Sequence, residues 1–103
     1  MILDVVYSIN NVPIRLTDER WEHIVDARLF MSSYYELILD AIENPRYILQ
    51  GHNKSKIAVV QVGREWLHVV YVEKSKDDGF ILTAFTDDAI DRDLIIWNSE
   101  NQE

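Results

Sequence analysis

The chain has 103 residues, the usual length of one domain, with 10 lysines and arginines against 18 aspartates and glutamates and a formal net charge of −8. That balance excludes a broad, non-specific nucleic-acid binder, because phosphate affinity is assembled from clustered cations, and it suits a basic protein as partner. The chain has no cysteine, which excludes a disulfide framework, a thiol nucleophile and a thiolate metal site.

"ILDVVYSI" (2–9) is rich in β-branched residues and reads as a strand. The segment carries Asp4 and has no basic lead, so no secretory signal is expected. No apolar run reaches the length of a membrane span, and a cytoplasmic protein without membrane contact is expected. "NNVP" (10–13) signals a turn, and "IRL" (14–16) is either a short strand or the lead into a helix. Thr17 is the expected N-cap, followed by Asp18 and Glu19 at the positive helix end. Trp21, Ile24, Val25 and Arg28 recur at helical spacing, which predicts a helix over about 18–29.

Ser33 and Glu36 have capping-box spacing. The stripe Tyr34, Leu37, Ile38, Ala41 and Ile42 predicts a second helix, stopped by Asn44-Pro45. Beyond it the period changes to two. "RYILQ" (46–50) can form a strand, and "KIAVVQV" (56–62) and "EWLHVVYV" (65–72) form a hairpin across Gly63-Arg64. "KSKDDG" is the next loop and "FILTAFT" (80–86) the last clear strand. The tail is expected to fray from about residue 98. The order predicts one α+β domain over 1–103, with a short N-terminal strand and two N-terminal helices packed on a twisted antiparallel sheet of about four strands.

If Val62 pairs with Glu65, Ala58, Val60, Val62, Leu67, Val69 and Tyr71 share one face, expected under the helices. Ile57, Val59, Gln61, Trp66, His68 and Val70 share the other. Thr83 falls beside Tyr71 in one register and beside His68 after a one-residue slip. No metal-ligand spacing, phosphate loop or nucleophile elbow is present, so neither a metal nor a cofactor is expected. Pattern alone makes His23 a solvated helix residue and His68 a buried, hydrogen-bonded one. The lysines and arginines near the middle strands read as solvated edge charges.

The motifs "RLTDERWEHI", "AIENPRYILQG" and "DDGFILTAF" resemble those of small bacterial and phage proteins of the barnase–EndoU–colicin–RelE nuclease superfamily. The matching residues are Leu16, Thr17, Glu19, Arg20, Trp21, His23 and Ile24, then Asn44 and Pro45, then Phe80, Ile81, Thr83, Ala84 and Phe85. Where relatives carry a second histidine after the first helix, this chain has "DARLFMSS", with Arg28 near that place. The resemblance implies a toxin-type, metal-independent ribonuclease in which the ribose 2′-hydroxyl attacks phosphate, and a dedicated inhibitor as partner. It implies His23 as general acid or base, and Thr83 and Tyr71 as hydroxyl donors. Arg20, Arg28 and Lys56 would contact RNA. The charge balance carries a second expectation: a non-enzymatic acidic protein, inhibitor-like or a degenerate member of the same fold, that binds a basic protein. The oligomeric state is left open by the sequence.

Overall fold

The structure, a computed structural model, describes residues 1–101. Seven strands form one sheet: β1 (Ile2–Tyr7), β2 (Pro13–Thr17), β3 (Tyr47–Gln50), β4 (Lys56–Val62), β5 (Glu65–Ser75), β6 (Asp78–Asp87) and β7 (Ile95–Asn98). Their spatial order is β1-β2-β6-β5-β4-β3-β7. Helix α1 (Asp18–Ala27), a 3-10 segment (Leu29–Tyr34) and helix α2 (Tyr35–Glu43) follow β2.

The expected sheet of about four antiparallel strands is therefore corrected to seven strands in a mixed sheet. Two segments account for the difference. "PIRLT" is a full strand that hairpins on β1 and lies parallel to β6 through Ile14–Gly79 and Arg15–Phe80. "IIWN" pairs with β3 as an edge strand. Both are too short to show a clear period of two, and a pairing between residues more than 60 positions apart leaves no local trace. The tail expected to fray from about residue 98 is described as far as Asn101. Ser99–Asn101 is a 3-10 turn, tied to Arg46 by the Ser99 amide and an ion pair to Glu100. The last two residues lie outside the described part.

Gly79 makes the parallel junction. A Cβ there would stand 2.5 Å from Cδ1 of Ile14 and 2.6 Å from the Val72 carbonyl oxygen. Only glycine lets Ile14 seat over β6. Gly79 thus serves packing inside a strand, whereas the sequence placed it in the "KSKDDG" loop. Gly63, at φ 63°, is such a turn residue and sets Val62 against Glu65 as expected.

Helix α1 begins where the cap predicts, with the Arg20 amide donating to the Thr17 hydroxyl at 3.2 Å. The expected Ser33 capping box does not form. Ser33 donates instead to the Phe30 carbonyl, and α2 starts two residues later. Its buried side chains are Ile38, Leu39, Ala41 and Ile42, while Leu37 is exposed. They pack with Ile24, Met31, Ile14 and Leu16 on Ala58, Leu67, Val69, Tyr71 and Ile81, the face predicted for the helices. The opposite face carries a smaller cluster of Tyr47, Leu49 and Val59 beneath Ile90 and Ile95.

A polar clamp ties the N-terminal hairpin to β5. Ser8 and Asn10 both donate to the Glu73 carboxylate, and Lys56 pairs with it from β4. Burial pushes the Glu73 pKa up, but these donors outweigh it and hold the carboxyl below its ordinary value.

Two outcomes check this packing. Ile38→Ala should cost about 2–5 kcal/mol in urea unfolding, whereas Leu37→Ala should stay within about 0.5 kcal/mol of the parent. Equal losses would invert the helix face. Glu73 has a depressed pKa, so its stabilisation is present above the unfolded value of about 4.3 and is lost as pH falls through the folded one. The parent minus Glu73→Gln difference in urea midpoint should therefore be larger at neutral pH than at about pH 3.

Candidate functional site

The expected catalytic residues occupy three separate environments. His23 is exposed on α1, on the helical side of the sheet. Tyr71 is 1% exposed beneath the helices. Thr83 pairs with Val70, because a bulge between Val70 and Tyr71 shifts β6 by one residue. That is the slipped register: Thr83 shares its face with His68 and Phe85. His23 stands one turn along α1 from Arg20, whose guanidinium reaches the Leu82 carbonyl beside Thr83, while Tyr71 is buried in the core; neither hollow described below is lined by any of the three.

The expected RNA-contacting cations are divided in the same way. Arg20 uses Nη1 to donate to the Leu82 carbonyl at 3.4 Å. Leu82 lies on β6 just past the last pairing with β2, so Arg20 serves a backbone acceptor of the sheet. Lys56 is committed to Glu73. Arg28 ends α1 in solvent. Arg15, on the other face, pairs with Asp78 and lies over the Phe80 ring. These placements do not form one basic patch.

Other motif residues are explained by packing. Leu16 and Ile24 are fully buried, and Trp21 meets Tyr35 edge-on with ring centroids 5.0 Å apart. His68 is buried and stacked on Phe85 at 4.8 Å. Its Nδ1 lies 3.0 Å from the Trp66 carbonyl, which can only accept, so Nδ1 carries the proton. Pattern reading anticipated that role.

What the fold does bring together is charge. Residues 18–43 hold seven carboxylates and two arginines, so the helical layer carries five of the eight excess negative charges. Glu19, Glu22, Asp26, Glu36, Asp40 and Glu43 are all exposed. Among them stand Leu29, Phe30 and Leu37, with Leu29 76% and Phe30 51% exposed. Single exposed apolar residues are ordinary, but three inside an acidic layer form a mixed surface of the kind partners use. The charge run was legible in the sequence. The apolar members were not, because Leu37 fits the buried stripe of α2 and Phe30 looks like helix-lining.

Two hollows of about 480 Å³ lie among the described residues. One, on the open face, has an apolar floor of Ile57, Val70, Val72, Leu82 and Phe85 beneath His52 and Asn53. The other lies at the C-terminal end of α2 and joins Glu43 and Asn44 to Ile9, Val60 and Trp97. Among the described residues no group of three histidines, cysteines or carboxylates is placed to hold a metal ion, and no helix is long and apolar enough to cross a membrane.

The buried phenol of Tyr71 gives a pH test. Burial, then the nearby Glu73 charge, raises its pKa. Tyr35 is pushed up to about 12 by burial and its 2.9 Å hydrogen bond to Asp4. A phenol that must stay neutral leaves stability intact below its unfolded pKa of about 10 and erodes it as pH rises beyond. The urea midpoint should fall between about pH 9 and about pH 11, and Tyr71→Phe should flatten that fall. An unaltered slope in the variant would place the buried phenol elsewhere.

No family model, curated protein or solved structure matches the chain.

Proposed function

We propose that this is a non-enzymatic, acidic interaction protein of the cytoplasm whose helical layer docks on a basic protein. The observation that carries the reading is the concentration of negative charge on the helical layer, with Leu29, Phe30 and Leu37 exposed among the carboxylates. Complementary charge steers encounter and selects the partner, while apolar side chains at the centre of a contact supply most of the affinity. The ribonuclease reading needs an acid–base group and a hydroxyl donor within reach of one phosphate. Tyr71 is buried in the core and neither hollow is lined by His23 or Thr83, which supports the interaction reading over it.

The test uses a helical peptide with lysines and arginines on one face and leucines on the other. It should bind at low salt and weaken steeply as salt rises toward 1 M, where screening lengths shrink to about 3 Å. Phe30→Ser should weaken binding at every salt concentration, and Glu22→Gln with Glu36→Gln should reduce the salt dependence. Absence of binding at low salt would overturn the proposal. So would cleavage of labelled RNA in EDTA that disappears in His23→Ala.

A further inference from the structure

The hollow at the C-terminal end of α2 has the make-up of a receptor for one cationic side chain. Its apolar walls come from Ile9, just past edge strand β1, from Val60 of β4 and from Trp97 of edge strand β7. Its polar wall is the end of α2, Glu43 and Asn44. The last turn of α2 contains no basic residue, so the negative end of the helix dipole is uncompensated by its own side chains. The Glu43 carboxylate is exposed and has no ion-pair partner among the described residues.

Arg46 also lines the hollow, but its charge is already engaged. Nη1 donates to Asn98 Oδ1 at 2.7 Å and Ser99 Oγ at 3.3 Å, and Nη2 pairs with Glu100 at 3.1 Å. The guanidinium of Arg46 is thus held toward the end of β7, and Glu43 is the charged group that the α2 side presents.

We infer that this hollow is a guanidinium pocket and that it receives an arginine side chain of the basic partner. The inference rests on the docking reading above and extends it from the helical layer to one defined contact. A guanidinium is planar and weakly hydrated. It can stack on the Trp97 indole while its N–H groups meet the Glu43 carboxylate and the terminal carbonyls of α2. An ammonium is a point charge with no flat face and gains less from the same walls. Glu43 is continuous with the acidic row Glu36 and Asp40 on the outer side of α2, so a chain lying on that row can reach the pocket with one long side chain.

The experiment follows the indole N–H of Trp97 by heteronuclear NMR, assigned with Trp97→Phe. The probe is the blocked tripeptide Gly-Arg-Gly, compared with Gly-Lys-Gly and with Gly-citrulline-Gly, which keeps the shape without the charge. The Arg tripeptide should move the Trp97 signal saturably. The citrulline tripeptide, and the Arg tripeptide on Glu43→Gln, should bind about tenfold more weakly, the size of one charge-assisted or cation–π contact. Equal responses to arginine and citrulline, or insensitivity to Glu43→Gln, would overturn the pocket. If the amphipathic basic peptide is captured with Trp97 silent throughout, the pocket falls and the docking surface stands. If Trp97 answers the Arg tripeptide while the longer peptide is not captured, the pocket stands and the helical docking surface falls.

Discussion

The parallel contact of β2 with β6 is the constraint on which the rest of the molecule depends. It spans only Ile14–Gly79 and Arg15–Phe80, yet among the described residues it is the sole strand pairing that attaches the N-terminal hairpin to the meander. Gly79 lets Ile14 approach, and the end of β2 then delivers Thr17 directly to the start of α1. From that position Arg20 reaches the Leu82 carbonyl, and Ile24 enters the core. The far end of the hairpin is held by Ser8 and Asn10 on Glu73. Two polar clamps, one on either side of a glycine junction, thus hold a long-range pairing whose loop-closure entropy is unfavourable.

This arrangement also gives most residues of the "RLTDERWEHI" segment a structural partner. Leu16, Trp21 and Ile24 face inward, Thr17 caps, and Arg20 serves the backbone of β6. His23 is left pointing outward from a helix whose sheet partner lies behind it. The bulge at Val70–Tyr71 then places Thr83 on the sheet face of His68 and Phe85. A motif of nuclease-like appearance can be maintained by packing alone when each member has a structural partner, and here all but Glu19, Glu22 and His23 do.

The sheet has edges with unlike surroundings. Edge strand β7 is four residues long, and its Trp97 lines the hollow at the end of α2 together with Ile9, which follows the opposite edge strand. The turn after β1, which reaches across to Glu73, and the far edge strand thus contribute to one cavity beside the end of α2. Helix α2 consequently has a buried apolar side, an acidic outer side and a C-terminal end open to the cavity, and the two proposals concern the last two of these.

Local chemistry determined much of this protein. The N-cap at Thr17, the stop at Asn44-Pro45, the Gly63 hairpin, the helix-facing set Ala58 to Tyr71 and the buried character of His68 follow from neighbours a few residues apart. The acidity of residues 18–43 is likewise a property of the chain itself. Tertiary structure alone decided the rest. Strand β2 joins β6 across more than 60 residues, β7 finds β3, and a single bulge selects the face of Thr83. Leu37 is exposed and Leu39 buried because α2 is rotated by the elements packed against it, which no periodicity within α2 encodes. Whether His23, Tyr71 and Thr83 can share a cleft depends on the register of β6 and on how α1 is seated against it. Residue types and spacing cannot express that arrangement, because it is made by contacts distant in sequence.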